Sequence, residues 1–97
     1  MEARHVRLIK EFEDLYVRYW KLMHFIIEYH KGNITAELTT PMELLLEQSD
    51  VMKRYLAILC ERFKYEEIFH EVHWKTLNKK RLEIFGVTHD NDTRRND

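Results

Sequence analysis

Glycine, proline and cysteine are almost absent from this chain, with 2 Gly, 1 Pro and 1 Cys in 97 residues. Sandwiches and barrels need many turns, and turns draw on Gly and Pro, so an all-β fold is excluded and long helices with few connections are expected. A lone Cys60 rules out an intrachain disulfide and fits a reducing compartment. Long apolar runs are missing too. The longest, Tyr55 to Cys60, falls far short of the roughly 18 residues that cross a membrane, and no charged leader with an apolar stretch opens the chain, so a soluble cytoplasmic protein is expected. Charge of one sign is also lacking: 16 Lys+Arg stand against 17 Asp+Glu, a net charge of −1. That balance excludes a strongly basic nucleic-acid binder and leaves any anion binding to a local group of residues.

What remains is rich in helix periodicity. Leu8, Phe12, Leu15, Tyr19, Leu22, Ile26 and Tyr29 recur at alternating spacings of four and three, the seam of a helix packed lengthwise on another. Helix 1 is therefore expected over about residues 2–31. A second line, Ile9, Tyr16 and Met23 with Trp20 and Ile27, widens that seam beyond what one neighbour covers. Gly32-Asn33 supplies a left-handed stop. Thr40-Pro41-Met42-Glu43 reads as a capping box with Pro at the first helical position, so helix 2 is expected over about residues 41–62, capped by Thr40. Its seam reads Leu44, Gln48, Val51, Tyr55 and Ile58, with Leu45, Met52 and Leu59 beside it. An unbroken helix from Pro41 to Phe85 would reach ~68 Å, far longer than helix 1 could cover, so a third helix is expected over about 66–85. The fold class is all-α: an antiparallel long-helix hairpin plus a C-terminal helix, one domain over 1–85, followed by a polar, flexible tail over 86–97. Two-sided apolar helices in so short a chain imply a helical oligomer, with Tyr16, Tyr19 and Trp20 facing a second subunit.

Few residues offer reaction chemistry. Cys60 lies in the apolar run of helix 2 and reads as a packed small hydrophobe. Glu66 and Glu67 diverge on a helix and form no acid/base pair. Glu67-Ile68-Phe69-His70 and Glu2-Ala3-Arg4-His5 have the Glu-x-x-His form of di-iron bundles, yet those bundles need two further inward glutamates, so no metal or cofactor is expected. Lys79-Lys80-Arg81 reads as a solvated cluster offsetting a helix dipole. No catalytic residue is assigned and an enzyme is the least supported class.

Binding chemistry is better represented. Gln48, Tyr55 and Arg62 lie seven apart on helix 2, and Glu11 and Arg18 lie seven apart on helix 1, with Lys21 next to that line. Such polar repeats beside an apolar seam set register in coiled coils. They also suit a pocket in which Arg18, Lys21 and Arg62 meet phosphates while Tyr55, Tyr16 or Trp20 stacks on a base, because guanidinium forks bind phosphate bidentately and stacking contributes about 1 to 3 kcal/mol.

The same residues belong to a longer pattern: Arg7-Leu8-x2-Glu11-x3-Leu15-x2-Arg18-x2-Lys21-Leu22-x2-Phe25-Ile26, and later Leu44-Leu45-x2-Gln48-x3-Met52-x2-Tyr55-x2-Ile58-Leu59-x2-Arg62. Over residues 7–62 it resembles a family of small, mostly uncharacterised phage-encoded helical proteins; the aromatic stretch Tyr16 to Trp20 and the segment from Phe63 onward fall outside that pattern. The resemblance implies a phage accessory protein acting in the bacterial host cytoplasm. By analogy of size and architecture with phage sponges, it implies sequestration of a nucleotide-type immune signal. The alternatives are an inhibitor or adaptor that binds a host protein through an aromatic helix face, and a helical assembly piece without a ligand.

Overall fold

The computed structural model describes residues 1–86. Among them the chain forms three α-helices and no strand: α1 (Ala3–His30), α2 (Met42–Tyr65) and α3 (Trp74–Ile84), with one turn of 3-10 helix at Phe69–Glu71 before α3. The polar tail expected over 86–97 lies, from residue 87 on, outside the described residues. α1 stops where the Gly32-Asn33 pair sets the chain turning back. Gly32 sits at φ +83°, its N–H donates to the Tyr29 carbonyl at 3.0 Å, and the Asn33 N–H donates to the Glu28 carbonyl at 2.9 Å. Those two bonds satisfy carbonyls that the helix end leaves open.

α2 begins differently from the expectation. Met42 is its first residue, so Pro41 and not Thr40 occupies the cap position, and no side-chain hydrogen bond closes that end. The Leu44 and Leu45 N–H groups donate to the Pro41 carbonyl at 3.1 and 3.3 Å, while Glu43 in the first turn complements the positive end of the helix dipole. The far end runs three residues beyond Arg62, to Tyr65, and the span expected as one helix over 66–85 is broken in two. The cause is a tight turn. Glu67 adopts φ +59°, and Ile68 N–H donates back to the Phe63 carbonyl at 2.9 Å, which ends α2 and drops Ile68 onto the core.

α1 and α2 form an antiparallel hairpin. His5 meets Glu66 at one end, Phe12 and Phe63 rings lie 5.2 Å apart edge to face nearby, and Phe25 and Leu45 line a common cleft at the other end. The core between them is Leu8, Phe12, Leu59 and Phe63, joined by Ile9 from α1 and by Ile68, Val72 and Leu77 from the C-terminal segment. α3 runs beside α1 in the same direction: Trp74 stands on Phe12 (ring centroids 5.3 Å apart), and Phe85 stands on Trp20 (6.0 Å) and His24 (5.0 Å). Arg81 lies 5.3 Å over the Trp20 ring.

This packing corrects two expectations. Tyr19 is buried and Trp20 is covered by Phe85 and Arg81, so these rings serve the interior of one chain and do not face a second subunit. On α2, the seam expected to meet α1 is the wrong one. The buried line is one residue further on, through Ser49, Leu59 and Phe63 with half-buried Leu45, Met52 and Leu56, whereas Leu44, Val51, Tyr55 and Ile58 are exposed. The reason is polarity. The expected line carries Gln48 and Arg62, which are costly to bury without partners, while the line that wins has only Ser49, whose hydroxyl donates to the Leu46 carbonyl at 2.8 Å.

Candidate binding face of the hairpin

Successive residues of a helix are rotated by about 100°. In an antiparallel pair the sense of rotation is mirrored between the helices, so residues one position before the buried line on each helix point to the same side of the hairpin. On α1 these are Glu11, Arg18 and Lys21; on α2 they are Gln48, Val51, Tyr55, Ile58 and Arg62, and all of them are exposed. Residues one position after the buried line point the other way. There Ile9, Glu13, Tyr16 and Trp20 of α1 receive the C-terminal segment: the Glu13 carboxylate accepts from His73 Nδ1 at 2.7 Å and from the His73 backbone N–H at 3.2 Å. The C-terminal segment thus lies along this side of α1, meeting α2 chiefly at the 3-10 turn, and leaves the other side of the hairpin open.

The open side gathers Glu11, Arg18, Lys21, Gln48, Tyr55 and Arg62, which sequence reading proposed as binding residues. Tyr16 and Trp20 are not among them. Tyr16 leans on Phe12 (6.0 Å) and on Trp20 (6.3 Å), half-buried on the side that α3 covers. The structure also adds residues that periodicity did not single out. Asp50 and Arg54 join Val51, Tyr55 and Ile58 around a shallow groove of about 360 Å³ on α2. Both flank the apolar line of α2, and their position matters only because that line is exposed.

Electrostatically the face is unspent. Among the described residues Arg18, Lys21, Arg54 and Arg62 make no ion pair, in contrast to Arg4, which pairs with Glu2 (3.3 Å) and Glu66 (3.1 Å), and to Lys10, which pairs with Asp14 at 3.3 Å. Arg62 contributes weakly at a distance to holding the Glu66 carboxyl below its ordinary value; the larger causes are the His5 hydrogen bond at 2.9 Å and then the Arg4 charge. Cation forks beside an exposed phenol ring can hold a phosphate and stack a base or sugar. Cys60 lies off this face, and burial pushes its thiol up from the ordinary value.

Of the two Glu-x-x-His motifs, one has its Glu2 on Arg4 and its His5 on Glu66 across the hairpin, and the other has its His70 beside Glu71 at 3.2 Å. Glu66 also holds Arg4, and His73 holds Glu13. Among the described residues no group of three or more His, Cys, Asp or Glu converges on one point. No described helix is long and apolar enough to cross a membrane.

The fold and its open face define a class: an all-α hairpin protein whose polar and apolar contact groups are presented on one side. A family model named Sequestin matches residues 2–65, and the chain belongs to that family. The family's name denotes a sequestering role, the holding of a partner. The matched span is the α1–α2 hairpin itself, so every residue of the open face lies inside it, while the 3-10 turn and α3 lie beyond it. No curated protein and no solved structure matches the chain.

Proposed function

We propose that this protein is a phage-encoded, non-enzymatic binder that sequesters a nucleotide-type immune signal and so blunts a defence of the bacterial host, acting as a homo-oligomer in the host cytoplasm. The observation that carries the reading is the open hairpin face, where Arg18, Lys21 and Arg62, which make no ion pair among the described residues, share a side with exposed Tyr55 and Gln48. Membership in a sequestering family supports it. Phosphates would engage the guanidinium and ammonium groups, and Tyr55 would supply a stacking face or a hydroxyl contact. Glu11 lies on the same side and suits a ribose hydroxyl, since an ionised carboxylate only accepts hydrogen bonds. The alternative, a host protein held by an aromatic helix face, has little surface on α1, where Tyr19 is buried and Trp20 and Tyr16 pack on rings of the same chain; exposed Phe69 and half-buried Trp74, in the 3-10 turn and at the start of α3, are the aromatic groups left to it.

Calorimetric titration of a panel of cyclic nucleotides and ADP-ribose derivatives tests the reading. Sequestration is stoichiometric, so at least one compound is expected to bind the wild type more tightly than about 10 μM. A panel with no such compound overturns it.

A further inference from the structure

The exposed apolar line of α2 has the regularity of an interface without a partner. Leu44, Gln48, Val51, Tyr55, Ile58, Arg62 and Tyr65 are spaced four and three apart along the whole helix, the a/d pattern of a two-helix seam. Its apolar members are far from covered: Leu44 is 54 % exposed, Val51 62 % and Tyr65 87 %. Among the described elements α2 packs against α1 and, near its end, the 3-10 turn, both away from this line. Apolar surface of this extent marks an interaction site.

Charge identifies the occupant. Glu47, Arg54 and Glu61 follow one another at seven-residue intervals along the edge of the seam, with signs alternating. A parallel in-register copy would set these charges against the line Leu45, Met52 and Leu59, which is turned towards α1. An antiparallel copy sets the edge against itself. Centred on Arg54, that arrangement opposes like charges; offset by one heptad, it places Arg54 of each chain beside Glu61 of the other, twice by symmetry, and sets Tyr55 against Ile58 across the joint. The overlap then runs from Gln48 to Tyr65, with Tyr55 and Ile58 at its centre and Gln48 and Arg62 in its outer layers, where their polar ends stay near water.

We infer that the open seam of α2 is covered by the α2 seam of a second copy, antiparallel, with reciprocal Arg54–Glu61 pairs. The joint sets Tyr55 of each chain about one helical turn from Arg62 of the other, and in that respect the inference rests on the ligand reading above and deepens it: the signal would be held where two hairpin faces meet.

Sedimentation equilibrium and light scattering on the full chain test the interface, with circular dichroism confirming that each variant keeps its helices. The wild type is expected to be a dimer at about 100 μM. Val51→Glu and Ile58→Glu alter exposed positions and should each weaken self-association by about tenfold or more. Arg54→Glu should weaken it likewise, and Arg54→Glu combined with Glu61→Arg should restore it, because the charges are exchanged together. A monomeric wild type, or a dimer indifferent to Val51→Glu and Ile58→Glu, overturns the interface; failure of the double variant to recover overturns the antiparallel register. The nucleotide panel separates the two claims. A monomer that binds a nucleotide refutes the interface alone, and a seam-dependent dimer that binds none refutes the ligand reading alone.

Discussion

The turn that ends α2 offers a sharp test of how backbone strain is distributed. Glu67 takes the left-handed conformation, φ +59°, at the position where α1 and the end of α3 use Gly32 (φ +83°) and Gly86 (φ +79°). An L side chain costs about 1–2 kcal/mol there, and Glu67 is exposed, its carboxylate accepting no hydrogen bond among the described residues to offset that cost. Replacing it by Gly removes the strain but lengthens the list of unfolded conformations, at a cost of about 0.4–1 kcal/mol. Glu67→Gly should therefore stabilise by a net ~0.5–1 kcal/mol, a rise in Tm of roughly 3–6 °C for a chain of this size. The assay is urea and thermal unfolding followed by circular dichroism at a fixed protein concentration, so that any self-association is held constant. Glu67→Ala is the control: it deletes the same carboxylate, including its unfavourable position at the negative end of the α2 dipole, but keeps the strain. The reciprocal change is Gly32→Ala, which should cost about 1 kcal/mol through the backbone alone, since nothing lies within 4 Å of an added Cβ. If Glu67→Gly is no more stable than Glu67→Ala, the account of this turn is wrong.

Leu59 is 0 % exposed at the centre of the hairpin core, and Leu59→Ala should lose about 2–5 kcal/mol in urea unfolding, enough to threaten the fold of so small a protein. The Glu66 carboxyl is held below its ordinary value of 4.5, first by the His5 hydrogen bond and then by Arg4. Because its folded value is depressed, the stability it brings is present above the unfolded carboxylate value and is lost as pH falls towards the folded one. Acid titration of stability should accordingly show a shallower fall between about pH 5 and 3 in Glu66→Gln than in the wild type. Arg62→Ala is exposed and should leave the fold intact while weakening nucleotide affinity by roughly 1.5–3 kcal/mol, read by calorimetry. Equal binding by Arg62→Ala would remove Arg62 from the ligand site.

Local signals explain most of what the sequence shows correctly. Scarce Gly and Pro and the four-three spacing from Leu8 to Tyr29 dictate long helices, and Gly32 stops the first because it enters the left-handed region without a Cβ penalty. The break after α2 left no such mark. No Gly or Pro stands between Arg62 and Gly86, and the turn is made by Glu67 in a strained conformation, stabilised by burying Ile68 and Val72 on the core. A cost of that kind is offset only by tertiary contacts, so no local rule could have located it.

The candidate binding face divides in the same way. Periodicity placed Glu11, Arg18 and Lys21 on one side of α1, and Gln48, Tyr55 and Arg62 on one side of α2, because helix geometry alone fixes which residues share a face. It could not decide which of two adjacent apolar lines on α2 would meet α1. The line through Leu59 and Phe63 wins because it has no charged member to desolvate, and its burial turns Leu44, Val51 and Ile58 outward. Nor could it show that Trp20 would be taken up by Arg81 and Phe85, which lie some 60 residues away in sequence and reach α1 only once the turn at Glu67 has been made. Which residues can act together was set by the sequence through helix geometry; which of them remain open to a partner was decided by tertiary packing, because α1 has room to cover only one side of α2.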